Sequence, residues 1–77
     1  MVYMTIMSKL TNRLKIERVS NGDLTQQELA KLVGCSRQTI HSIETSKFVP
    51  SVELVLRIAK ALGVKVEDIF QLEEKEV

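Results

Sequence analysis

Few side chains in this 77-residue chain could take part in chemistry, and their types favour hydrogen bonding over bond making. There is one cysteine, Cys35, and one histidine, His41. One of each cannot build a metal set, a nucleophilic triad or an internal disulfide. No glycine-rich phosphate loop is present and no nucleophile sits beside a base, so an enzyme would lack its parts and no cofactor is expected. Cys35 has no basic residue directly beside it to lower its pKa and reads as a small buried turn residue. What remains is a row of polar residues, Arg37, Gln38, His41, Ser42 and Thr45, spaced along one face of a helix. Such a row can exchange hydrogen bonds with a neighbour lying across it.

The elements that must hold this row follow from caps and periodicity. Thr25 is followed three residues later by Glu28, so a hydroxyl and a carboxylate can satisfy two orphan amides reciprocally. A helix is predicted over about 25–33, with Leu29, Leu32 and Val33 on its inner face and Gly34 as the left-handed residue that ends it. Ser36 can cap the next helix, about 36–45, which turns Ile40 and Ile43 inward. Ala30 is small enough for these two helices to approach closely across the Gly34-Cys35 turn. Upstream, Leu14, Ile16 and Val19 give an imperfect stripe over 12–20 that stops at Asn21-Gly22. Downstream, the loop Phe48-Val49-Pro50-Ser51 leads to a helix carrying Val52, Leu54, Val55, Ile58, Ala59 and Leu62 up to Gly63, which should be nearly surrounded by core. A fifth helix begins near Lys65 with Glu67 and Asp68 in its first turn and carries Ile69 and Phe70 inward, and Phe70 to Glu73 alternates as a short strand would.

With 44% apolar and 27% charged residues, the chain suffices for one compact domain. The expected organisation is an arm over 1–10, a domain over 11–72 and an acidic tail over 73–77. Met1 to Met7 are apolar apart from Thr5, lack a basic leader and are too short to span a bilayer, so they read as a loose arm. Methionines at 1, 4 and 7 leave the true start open. The composition fits a reducing cytoplasm and no membrane partner. Net charge is only +1, but it is unevenly spread. Residues 67–77 set Glu67, Asp68, Glu73, Glu74 and Glu76 against Lys75, a net of −4 that leaves +5 on residues 1–66. A basic body can offer a positive face to phosphate even when its tail is acidic.

The stretch LTQQELAKLVGCSRQTIHSIE, residues 24–44, with KFVPS and ALGVKVEDIF after it, resembles the XRE family of helix-turn-helix regulators, the group of phage repressors and Cro. The resemblance covers roughly residues 12–72, and Ala30, Gly34, Ile40, Ile43 and Glu44 all fall at the spacing of that family's motif. It implies an all-α, five-helix lambda-repressor-like domain, with a short two-stranded element from the N- and C-terminal segments left open. It also implies a third helix inserted in the major groove of double-stranded DNA. Arg37 and Gln38 would reach base edges, Ser42 bases or backbone, and Gln26, Thr39, Thr45 and Lys47 phosphates, with Thr25 and Ser36 at the helix starts counted among the phosphate contacts. The chemistry agrees: Arg can donate twice to guanine O6 and N7, and Gln can pair with adenine N6 and N7, each worth about 1 to 3 kcal/mol of discrimination. His41 lies on the same face, as a base contact or simply solvated. Two positions depart from the family pattern: Ser46 stands where glycine usually follows the third helix, and Lys65 where Ser or Thr usually caps the fifth.

A small domain buries little surface, so pairing of two copies is expected, through apolar residues near Val64, Val66, Ile69, Phe70 and Leu72. A symmetric dimer would set two third helices about 34 Å apart and demand an inverted-repeat operator. The leading expectation is a homodimeric transcription regulator that acts as a repressor. Two rival readings are an antitoxin that also binds a toxin through its tail or arm, and a bridging coactivator that hardly reads sequence.

Overall fold

The computed structural model describes residues 6–76, so the first five residues of the predicted arm and the last residue of the predicted tail lie outside the described residues. The element order is β1 (Ile6–Asn12), α1 (Leu14–Ser20), α2 (Gln26–Val33), α3 (Arg37–Glu44), α4 (Val52–Leu62), α5 (Val66–Ile69) and β2 (Phe70–Glu76). The fold is thus predominantly helical, with five helices, but the all-α expectation needs correcting. β1 and β2 pair antiparallel in one two-stranded sheet, with Leu10 opposite Leu72 and Asn12 opposite Phe70. Segments read as arm and tail therefore supply a ribbon, which the alternation at Phe70 to Glu73 foreshadowed. Its root is tied to the helices where the Arg13 amide donates to the Ile69 carbonyl at 2.7 Å. The described chain is elongated, 48 Å along one axis against 21 and 19 Å along the others.

The helix starts follow local chemistry. Thr25 Oγ1 accepts from the Glu28 amide at 3.0 Å while a Glu28 carboxylate oxygen accepts from the Thr25 amide at 2.9 Å, which is the reciprocal box its spacing predicts. Ser36 and Ser51 cap α3 and α4 by accepting from the amides of Thr39 and Leu54. α1 has no capping side chain on Arg13 and relies on Asn12 Oδ1, which accepts from the Leu14 amide at 3.2 Å. At α5 the Lys65 side chain contributes no cap, and the Asp68 carboxylate accepts from the Lys65 amide instead. Gly34 takes φ +77°, which lets the chain reverse between α2 and α3 without a Cβ clash.

The core consists of Leu14, Leu29, Ala30, Val33, Ile40, Ile43, Ile58, Ala59, Leu62 and Ile69. Four expectations change against it. The inner positions of α1 are Leu14 and Arg18, while Ile16 and Val19 face solvent. Leu32 on α2 is 63% exposed, because the narrow contact with α3 and α4 takes up only Leu29, Ala30 and Val33. α4 is buried along Ile58, Ala59 and Leu62, and its first turns carry the exposed Val52 and Leu56, so it is not nearly surrounded. Ile69, expected at a dimer surface, has no exposed surface and belongs to the subunit's own core.

Thr25→Ala should lower stability by about 1 kcal/mol, a fall in Tm of roughly 4–8 °C for a domain of this size. The Thr25 amide and hydroxyl hold the Glu28 carboxyl below its usual range. A lowered folded pKa gives stability that is present above the unfolded value and lost as pH falls through the folded one. Thermal melts of Glu28→Gln should therefore lose that acid-side portion of the pH dependence.

Candidate nucleic-acid interface

The face carrying the polar row is built from beneath by one buried charge pair. Arg18 on α1 and Glu44 at the end of α3 meet with Nε to Oε2 at 2.7 Å and Nη2 to Oε1 at 3.2 Å, with side chains only 10% and 5% exposed. Arg18 Nη1 also donates to the Leu24 carbonyl at 2.7 Å, just before α2. One guanidinium thus joins α1, the entry to α2 and the end of α3. The fork geometry of Arg matches both carboxylate oxygens, which a Lys in its place could not do.

From Glu44 the network climbs to the surface. Gln26 Nε2 donates to Glu44 Oε1 at 3.1 Å, and Gln26 Oε1 accepts from Arg37 Nη1 at 3.1 Å. The same Gln26 amide stands 3.4 Å from His41 Nδ1, and it can donate there when that ring nitrogen is unprotonated. Further along α3, Gln38 Nε2 donates to Ser42 Oγ at 3.2 Å, an i,i+4 tether along the helix. Arg37, Gln38 and His41 are exposed and Ser42 is half-buried, so the structure brings the four predicted base-reading residues onto one face. Electrostatically this face is clean: the carboxylate of α3 is withdrawn beneath it and matched by Arg18, leaving Arg37 as a full charge at the helix start.

The predicted phosphate contacts fall in different situations. Lys47 is exposed. Thr25 and Ser36 use their oxygens as caps, and Ser36 Oγ also shares a hydrogen bond with Thr39 Oγ1 at 2.9 Å. Gln26 is half-buried, with both ends of its amide engaged by protein. The Thr45 hydroxyl donates back to the His41 carbonyl at 2.9 Å, so its proton is already committed.

Where α3 ends, the chain closes in a Schellman turn. The Lys47 amide donates to the Ser42 carbonyl at 2.8 Å and the Ser46 amide to that of Ile43 at 3.0 Å. Ser46 takes φ +59°, so the left-handed turn that glycine would make forms with serine. Asn12 from the ribbon supports it, with Nδ2 donating to the Ile43 carbonyl at 2.9 Å. Sequence reasoning missed Arg18, Asn12 and Asn21, whose side-chain amide donates to the Leu62 carbonyl at the end of α4. Arg18 falls one turn beyond Leu14 on the same helix face, a spacing that could have flagged it.

Two short helices meeting across a tight turn, with a polar outer face on the second and three further helices completing the body among the described residues, define a helix-turn-helix domain. A helix-turn-helix family model matches residues 14–69, the span from α1 through α5, and the chain belongs to this family, in its XRE-type branch of DNA-binding transcriptional regulators. It is similar to an uncharacterized HTH-type transcriptional regulator of Methanocaldococcus jannaschii, 51% identical over 67 residues that cover 87% of this chain and 100% of that one. It is also similar to the uncharacterized HTH-type transcriptional regulator YgzD of Bacillus subtilis, 42% identical over 66 residues, 86% of this chain and 98% of that one. Another relative of the same description, from Archaeoglobus fulgidus, is 46% identical over 55 residues, 71% of this chain and 78% of its own length. Among the described residues no helix is long and apolar enough to cross a membrane.

Removing one partner of a buried pair strands the other charge, so Glu44→Ala should cost about 3–5 kcal/mol in urea denaturation. The double variant Arg18→Met with Glu44→Met should be destabilised by much less than the sum of the two single changes, since neither charge is then stranded.

Proposed function

We propose that the chain binds double-stranded DNA sequence-specifically as a homodimer and represses transcription by occupying an operator. The observation that carries this reading is the polar face of α3, free of exposed acid and braced from below by the Arg18–Glu44–Gln26 network. A face so held suits insertion in the major groove. Arg37 donates to guanine O6 and N7, Gln38 pairs with adenine, and Ser42 and His41 reach the neighbouring base edges or the backbone. Lys47, Thr39 and the helix starts at Thr25 and Ser36 meet phosphates, which position the protein without reading sequence. Gln26 serves mainly by aiming Arg37, and Thr45 can join the phosphate contacts only by giving up its bond to the His41 carbonyl.

The dimer surface lies among Val64, Val66, Phe70 and Leu72, of which Leu72 is the most exposed. Two copies related by a twofold axis put their α3 helices about 34 Å apart on one face of B-DNA, so the operator is an inverted repeat and its occupation excludes polymerase.

Selection of bound DNA from a random pool should return a palindromic consensus, and sedimentation should give a dimer. A featureless pool would overturn the reading, and monomers bound at single half-sites would overturn its dimeric part. On the selected site Arg37→Ala should cost about 1–3 kcal/mol and relax preference at one base pair. Lys47→Ala should weaken selected and random DNA alike and reduce the salt slope by about 1.

A further inference from the structure

One concavity adjoins the reading face and involves a residue with no role so far. Gln38, Thr39, Ser42, Lys47 and Phe48 line a hollow of about 280 Å³ between α3 and the loop that follows it. Its polar wall is the tethered pair Gln38 and Ser42. Its apolar wall is the ring of Phe48, which is 46% exposed although aromatic surface normally gains by burial. The ring is not there by loose chance. The Phe48 amide donates to the Ser42 carbonyl at 3.2 Å, next to the Lys47 amide on the same oxygen, so the Schellman turn folds Phe48 back beside Ser42. The Thr39 hydroxyl shares a hydrogen bond with Ser36 Oγ at 2.9 Å. Lys47 brings positive charge, and no acid accompanies it in the lining.

A hollow with one amide wall, one aromatic wall and a lysine in its lining is complementary to the edge of a thymine in the major groove. That edge carries an apolar C5-methyl beside a hydrogen-bonding oxygen, with phosphate nearby. We propose that Phe48 is a specificity-determining residue that receives the C5-methyl of a thymine within one base pair of the pair read by Gln38. The inference rests on the DNA-reading role of α3 proposed above. It adds an apolar selection, thymine over cytosine or uracil, to the hydrogen-bonded selection made by Arg37 and Gln38.

The test uses the full chain and the operator obtained by selection, with each thymine replaced in turn by uracil, a change that removes only the methyl. At one position per half-site, within one base pair of the step whose preference Gln38→Ala relaxes, uracil should weaken binding about three- to five-fold, the factor expected for one buried methyl. Phe48→Ala should weaken the thymine operator and abolish the thymine–uracil difference at that position alone. Phe48 is half-exposed and outside the core, and the unchanged melting temperature of this variant serves as the control for folding. Equal affinity for uracil at every position, a consensus without thymine there, or a thymine–uracil difference that survives in Phe48→Ala each overturns the proposal while leaving the reading by Arg37 and Gln38 intact. Failure of the wild-type chain to select any sequence overturns both.

Discussion

A guanidinium and a carboxylate, each almost wholly withdrawn from water, sit where three helices of this domain converge. Desolvating both is costly, and the pair is tolerable because all three guanidinium nitrogens donate, Nε and Nη2 to the two oxygens of Glu44 and Nη1 to the Leu24 carbonyl, while Glu44 Oε1 accepts from Gln26 as well. Among the described residues no buried side-chain nitrogen or oxygen is left without a partner. An apolar pair of the same volume could fill the space, but it would not dictate direction. The charged pair fixes the rotation of α3 about its own axis, because Glu44 must point at Arg18 while Ile40 and Ile43 point at the core. The outward heading of Arg37, Gln38 and His41 is the geometric complement of that inward heading.

The same pair solves an electrostatic problem. An exposed carboxylate on α3 would repel a polyanion lying across the helix, and the only acid α3 contains is the one drawn inward and neutralised. Net charge of +1 is therefore a poor guide to this surface. The acids concentrate in α5 and β2, in the part of the chain that follows the core, whereas the helix that faces outward with polar groups keeps only cationic and neutral ones. Long-range attraction is modest, and short-range complementarity has to carry more of the discrimination.

The legible features of the sequence were the local ones. Thr25 with Glu28, Ser36, Ser51, Gly34 and Gly63 mark their helix ends because cap and partner lie within four residues of each other. The buried pair was opaque for the opposite reason: Arg18 and Glu44 are 26 positions apart, and an arginine counts as a surface residue until its partner is known. Reading α1 by its apolar residues alone therefore chose Ile16 and Val19 over Arg18. Ile69 was read both as inward on the fifth helix and as part of a dimer surface, because a short apolar run at the end of a domain cannot be divided between the subunit's own core and an outer surface without knowing where the chain turns. The turn into β2 at Phe70 makes that division, and it depends on β1, at the other end of the chain. The polar row itself was readable because 3.6-residue periodicity and two inward isoleucines leave it one direction to face.

Preorganisation is what such bracing gains at the surface. Ordering a long side chain at an interface costs about 0.5–1.5 kcal/mol, and a loose arginine would meet that cost on contact. Arg37 is already held by Gln26, and Gln38 by Ser42, yet neither tether uses up the groups that a base would need. A guanidinium has five N–H donors, so one given to Gln26 leaves the two required by guanine O6 and N7. The Gln38 amide gives one N–H to Ser42 and keeps the other, together with its carbonyl oxygen, for the two-bond pairing with adenine. In the proposed mode both tethers can thus persist in the complex. The weak point is the other end of α3, where Ser46 accepts a left-handed φ that costs a residue with a Cβ about 1–2 kcal/mol. That strain is borne by the turn that lays Lys47 and Phe48 against Ser42, and the Asn12 amide on the Ile43 carbonyl is the contact that ties the turn to the ribbon. The ribbon is therefore coupled to the reading helix, since the register that sets Asn12 opposite Phe70 also sets how firmly the far edge of the face is held.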